Sequence, residues 1–351
     1  MDGEAQMKRI QTVCLLVITA IVVGAALHWL RPMMIPFTLA LFTAFGLSLV
    51  TDVLVRKARF PRPLALATSL LIALMVFVLF ASVVTTAVRE LAANANKYER
   101  SIQRIVNDSV QRLPLERWGI ETGADLEQYY QMPVESVGGV LLSTTNAILD
   151  ILSKSVMVMI FVLFLLIGSR RDPEQVKSGL FVVMESKIKR YLVTKAAASA
   201  ATGTLVGLIL SLLNVDLAVA FGLLAFLLNF IPSLGSIIAT LLPLPVVLVS
   251  PEATATTVVL TLVLPGSVQL VIGNILEPKV MGDSLELHPV SILMALIFWG
   301  MLWGVVGMFL AVPITAVLKY ILSKYELTSG FALIMEGRLE RALAHANLEE
   351  E

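Results

Sequence analysis

The chain has one cysteine, Cys14, and three histidines among 351 residues. A lone thiol closes no intrachain disulfide, and so few soft ligands leave no Cys/His metal cluster to draw from the spacing. Charge is scarce too: Asp, Glu, Lys and Arg make up 15% of the residues, and 26 bases balance 26 acids. That balance argues against a basic face for nucleic acid, so no nucleic-acid partner is expected. No phosphate-cradling glycine loop and no Ser/His/Asp set is present. An enzyme is therefore not expected, and no catalytic residue, metal or cofactor is assigned.

What fills the chain instead is apolar. Hydrophobic residues make up 57% and the mean hydropathy is +0.86, well beyond an ordinary soluble domain, which places the chain in lipid. Lys8 and Arg9 precede an apolar run from Ile10 to Leu30, longer than the roughly 7–15 residues of a cleaved signal core. It reads as a retained first span. Apolar segments follow at 33–50, 64–88, 147–168, 197–213, 217–230, 236–249, 255–276, 290–305 and 307–322. The segment at 217–230 reaches only about 21 Å as a helix, whereas the hydrocarbon core is about 30 Å thick. Such pieces read as half-helices or re-entrant hairpins, which survive at membrane depth where protein buries them or a wet cavity is lined. The expected fold is an all-α polytopic membrane protein with about eight transmembrane helices, short re-entrant or broken helices, and one outward helical excursion.

Basic residues set the orientation. Arg56, Lys57, Arg59 and Arg62 follow the second segment, and residues 170–195 carry seven bases against three acids. Both stretches are expected in the cytoplasm. Residues 89–145 carry six bases against eight acids and should face outward, which leaves both termini cytoplasmic. Within this excursion Leu91, Ala95, Tyr98, Ile102 and Ile105 recur at steps of four and three, one apolar seam on a helix that needs its own subunit, the lipid interface or a neighbouring copy to cover it. The resulting organisation is 1–88, N-terminal transmembrane helices; 89–145, extracytoplasmic helical region; 146–196, a transmembrane helix and a cytoplasmic amphipathic segment; 197–323, a C-terminal transmembrane core with broken helices; and 324–351, a cytoplasmic tail.

Two interruptions of the apolar pattern are candidates for the substrate pathway. In the first, Gly266, Gln269, Gly273 and Glu277 fall on one helical face beside Asn274, and lead into Glu277-Pro278-Lys279. Charge at a span junction marks function by default, although Gln and Asn also serve as glue between helices, and Glu277 with Lys279 could form a local surface ion pair. The second is Asn229 to Ser236, where Pro232 ends one helix and Gly235 permits a tight turn, so that unwound backbone could face a substrate. An ordinary surface turn is the alternative. Gly203 with Gly207, and Gly300, Gly304 and Gly307, recur at helical spacing and read as close-packing faces or as sliding surfaces. His28 and Trp29 read as interface anchors, and His288 as a helix-start residue or a group titrating near neutrality.

Asn229 to Ser236, Gly273 to Gly282 with Leu285 and Leu287, Phe298-Trp299-Gly300, Gly304, Gly307 and Ala311-Val312-Pro313 together resemble the autoinducer-2 exporter (AI-2E) family. Arg190 to Lys195 ahead of Thr202-Gly203, and Ile35-Pro36-Phe37 with Ala40-Leu41, are similar too, so the likeness covers nearly the whole chain. It implies a bacterial inner-membrane protein assembled as a homo-oligomer, a pentamer, whose relatives export the quorum-sensing signal autoinducer-2 or exchange sodium or lithium for protons. Ser48-Leu49, Ser233 and Asp283 depart from the family's usual residues.

The leading function is export of a small polar metabolite, with autoinducer-2 the named candidate. Sodium or lithium/proton antiport and a non-transporting membrane scaffold are the alternatives. The expected partners are a small-molecule substrate or cation, membrane lipid and further copies of the chain. The expected pathway residues are Gln269, Gly273, Asn274, Glu277, Lys279, Asn229, Pro232 and Gly235.

Overall fold

The computed structural model describes residues 2–94, 100, 154–168, 180–281, 286–338 and 340. Most of the outward excursion, with Ala95, Tyr98, Ile102 and Ile105 of its apolar seam, lies outside the described residues, as do Gly282, Asp283 and Leu285. The rest is helical, with no strand among the described residues. In chain order the helices are α1 (Asp2–Trp29), α2 (Arg31–Arg56), α3 (Arg62–Ala93), α4 (Lys154–Gly168), α5 (Leu180–Leu212), α6 (Ala218–Leu228), α7 (Leu234–Leu241), α8 (Leu244–Val249), α9 (Ala255–Gln269), a π-helical stretch Leu270–Leu276, α10 (Glu277–Met281), α11 (Pro289–Leu322) and α12 (Glu326–Met335).

Five helical stretches are long and apolar enough to cross a membrane: Arg31–Arg56, Arg62–Glu90, Ser186–Leu212, Ala255–Val280 and Pro289–Leu322. Their apolar surfaces are bare. Leu71, Leu74, Met75, Val76, Val78 and Leu79 of α3 are each at least 50% exposed, a helix hydrophobic all round that only lipid or other membrane protein would solvate. This is a polytopic membrane protein.

The described residues form two compact units, divided within α2 and within α5. The first takes residues 1–52, 155–192 and 283–351. Its core gathers Phe42, Ile188 and Leu310, with Phe45, Leu192, Val306 and Phe309 packed around them. Here α11 is not one rod. Gly304 adopts φ 66° and ψ −144°, a backbone state that needs the missing Cβ, and the helix reverses there. Trp299 Nε1 donates to Thr315 Oγ1 at 3.1 Å; in a straight helix these residues would stand about 24 Å apart. The two arms match the separate segments expected at 290–305 and 307–322, now as one hairpin. Trp303 Nε1 ties this hairpin to the Leu27 carbonyl of α1 at 3.1 Å.

An ion network closes the other end of the first unit. Lys319, 5% exposed, reaches Glu286 at 3.4 Å and Glu336 at 2.9 Å; Lys187 adds a contact to Glu286 at 3.1 Å, and Arg338 one to Glu336 at 3.3 Å. His288 caps the start of α11, its Nδ1 accepting from the Val290 N–H at 3.3 Å, in keeping with the helix-start reading. Its own N–H donates to the Met335 carbonyl at 2.9 Å, docking the end of α12.

The second unit takes residues 53–154 and 193–282. Val206, Leu210, Val215, Ala218, Phe221, Ala225, Ala239 and Val247 make its core, with Val258 and Val268 packed against them. The glycines of α5 act as close-packing positions: Gly203 and Gly207 sit against Gly222 of α6 so tightly that a Cβ on Gly203 or Gly222 would run into the facing backbone. The short segments expected at 217–230 and 236–249 appear as α6 and the pair α7–α8, the arms of a second hairpin that turns through Asn229 to Ser233.

Candidate functional site

The α6–α7 turn is built by three residue types. Asn229 ends α6, and its N–H bonds back to the Ala225 carbonyl at 3.0 Å. Pro232 cannot continue the helix, and Ser233 takes φ 59°. Gly235 then restarts α7 directly against the Leu228 carbonyl, where no Cβ could fit. Opposite lies the end of α9. Its regular bonding loosens after Gln269 into the π-helical stretch Leu270–Leu276, a widening that recurs at functional sites.

Between them is a cavity of about 580 Å³. Asn229, Pro232, Ser233, Ser236 and Thr240 line it from the hairpin, Gly266, Gln269, Gly273, Asn274 and Glu277 from the α9 stretch, and Lys195 from α5. The two interruptions that the sequence offers as separate candidates therefore face one space. Six of the eight expected pathway residues line it: Gln269, Gly273, Asn274, Glu277, Asn229 and Pro232. Gly235 lies behind the wall as a packing position, and Lys279 is exposed away from it.

The partner of Glu277 is not Lys279. Lys195 Nζ donates to Glu277 Oε1 at 2.5 Å, with side-chain exposures of 4% and 14%. A pair this deep neutralises itself, while removing one member would strand the other charge in a poorly solvating site. Asn229, 2% exposed, donates Nδ2 to Ser199 Oγ at 3.0 Å and so anchors the turn to α5. Gln269 is different. It is 5% exposed, yet among the described residues neither its Oε1 nor its Nε2 has a hydrogen-bond partner. A buried amide with both ends unmet is costly, and it fits a site that waits for a guest.

Lys195 and Ser199 escape a reading by hydropathy because Lys195 ends the basic stretch 170–195 and counts there as a topology signal. The signal that could have found them is the spacing Lys195, Ser199, Thr202, at i, i+4 and i+7, a buried polar stripe on an apolar helix.

The model of the AI-2E family of transporters matches residues 16–327. The chain belongs to that family. It is 32% identical over 313 residues to the AI-2 transport protein TqsA of Escherichia coli (strain K12), covering 87% of this chain and 89% of that protein. The putative transport protein YhhT of the same organism is 27% identical, covering 85% and 86%. A putative transport protein of Haemophilus influenzae is 28% identical, covering 90% and 93%. As an AI-2E family member the protein is a membrane transporter, and an all-helical polytopic fold with a cavity lined by polar side chains is consistent with that role.

Proposed function

We propose that the protein exports a small, uncharged polar metabolite across the bacterial inner membrane, and that the cavity of the second unit is its binding site. The observation that carries this reading is Gln269, buried in the cavity wall with both amide atoms unmet among the described residues. The rest of the lining is neutral in sum: Lys195 and Glu277 cancel, and Asn229, Ser236, Thr240 and Asn274 offer hydrogen bonds without net charge. Such a lining suits a solute that needs hydrogen bonds more than charge, and autoinducer-2, which the name of the Escherichia coli relative mentions, is the first cargo to test. Glu277 carries the second reading. A carboxylate at the cavity wall is the kind of group on which cation/proton antiport would depend.

One experiment separates the two. Gln269→Leu and Glu277→Gln are purified and reconstituted in liposomes at matched protein content, and flux is read for autoinducer-2 and for sodium against a pH gradient. Signal export predicts a loss of about tenfold or more for Gln269→Leu, which deletes a hydrogen-bonding partner. Antiport predicts that Glu277→Gln abolishes pH-dependent exchange. Wild-type flux in both variants would remove the cavity from transport. The proposal extends to a homo-oligomer, a pentamer in the family's pattern, with both termini cytoplasmic.

A further inference from the structure

Among the described residues of the second unit, Gln269 is not the only buried polar group without a partner. Thr202 on α5 and Thr261 on α9 are both 0% exposed, and among the described residues neither hydroxyl makes a hydrogen bond. They break the habit of their neighbours. Ser69, Ser211, Thr240 and Ser267 each donate to the carbonyl one turn back, at 2.7 to 2.9 Å. Thr261 is doubly unusual, because Pro265 stands four residues on and has no N–H to offer the Thr261 carbonyl. Unmet hydroxyls at full burial ask for a ligand that comes and goes.

Helix register puts these groups in order. The Lys195–Glu277 pair fixes one end, where α5 begins its run through this unit and the α9 stretch ends. At the other end lies a second cavity of about 680 Å³, lined by Ser211 and Asn214 after the glycine stretch of α5, by Glu252 just ahead of α9, and by Thr86 and Glu90 of α3. The two helices thus run in opposite senses between the cavities. Counted from Lys195, Thr202 lies about 10 Å and Ser211 about 24 Å along α5. Along α9, Thr261 lies about 12 Å beyond Gln269 on the side away from Glu277. Thr202 thus lies along α5 between Lys195 and Ser211, and Thr261 along α9 between Gln269 and the Glu252 end. Val206, Leu210 and Phe221 belong to the apolar core of the same unit.

We propose that the two cavities are the two ends of a single translocation route through the second unit. Thr202 and Thr261 are its hydroxyl relay points, and Val206, Leu210 and Phe221 are the apolar plug that holds it shut in this conformation. The route takes a small hydrogen-bonding solute, and it rests on the reading of the Gln269 cavity as the cargo site. The Gly203–Gly222 contact keeps α5 and α6 together along the same stretch, so opening belongs to the side chains of the plug and to movement of α9.

The test uses full-length protein carrying Cys14→Ser, so that an introduced thiol is the only one. Thr202→Cys and Thr261→Cys in liposomes are treated with a small, charged methanethiosulfonate reagent, with and without autoinducer-2. Both cysteines are expected to react, and more slowly when the signal is present. In parallel, Thr202→Val and Thr261→Val are expected to lower autoinducer-2 flux about tenfold each, the scale of one hydrogen bond left unmade, while Thr→Ser at either position restores it. A structural role would not single out the hydroxyl in this way. Unreactive thiols at both positions, or wild-type flux in both valine variants, would overturn the route. Where the valine variants fail to fold, the labelling decides alone. If Gln269→Leu is impaired while the valine variants transport normally, the cargo site stands and the route is wrong; if Gln269→Leu itself transports normally, the cargo reading fails first.

Discussion

At the residue scale the ion pairs divide by what they face. Lys195 and Glu277 are shut in with each other, so their charges cost least when both are present. Glu286 sits outside the spans and is more open, at 39% side-chain exposure. The hydrogen bond from Lys187 holds its carboxyl below the usual carboxylate range; burial pulls the other way, and the charges of Lys319 and Lys187 add to the depression. A carboxyl whose folded pKa is depressed contributes stability above its unfolded pKa of about 4.3, and that contribution is lost as pH falls through the lower folded value. The loop at 286–288 and the docked end of α12 should therefore hold above about pH 4 and loosen below it. Hydrogen exchange of the His288 and Gly337 amides, followed from pH 6 to pH 3, should show protection falling in that window. In Glu286→Gln the share of the fall due to this carboxyl should be gone, and an unchanged profile would count against the assignment.

At the element scale, the two hairpins explain why the chain has apolar segments too short to span. Each arm is covered by its own partner arm, so backbone reversal occurs where side chains of the same hairpin meet it: Trp299 with Thr315 in one, Gly235 against Leu228 in the other. Gly304 makes the first reversal possible. At φ 66° and ψ −144° any side chain is strained, by about 1–3 kcal/mol. Gly304→Ala should lower the thermal unfolding midpoint in detergent, whereas Gly46→Ala, which has open space around its Cβ position within α2, should leave it unchanged or raise it slightly. Equal midpoints for the two variants would mean that the reversal does not depend on glycine. The spacing of Gly300, Gly304 and Gly307 suggests a smooth face on one helix, but Gly304 breaks the helix that such a face would need.

At the scale of the whole molecule, charge and length together predict the orientation. The loop at 57–61 carries Lys57 and Arg59 and is flanked by Arg56 and Arg62, and α3 is long enough to carry the chain across. In a Cys14→Ser background, Ala58→Cys should resist an impermeant thiol reagent in intact cells and react after lysis, while Ala93→Cys, at the far end of α3, should react from outside. The reverse pattern would invert the topology. Native mass spectrometry of the same preparations should give a pentamer, and a monomer at all detergent levels would withdraw the oligomer.

The class of the protein is written in composition, since no soluble fold can hide so much apolar surface, and the hairpin arms are written in segment length against bilayer thickness. The polar stripe on α9 follows from helical periodicity, which is local, and so does the Asn229–Ser236 turn, through its proline and glycine. Pairing is another matter. Which cation meets Glu277 depends on which helices pack together and in what register. Sequence proximity points to Lys279, and packing chose Lys195, 82 residues away. The same packing decided that the stripe and the turn share one cavity, that Gln269, Thr202 and Thr261 are buried without partners among the described residues, and that a second cavity lies at the far end of the same helices. Periodicity tells which side chains share a face of one helix, and only the tertiary structure tells what that face meets.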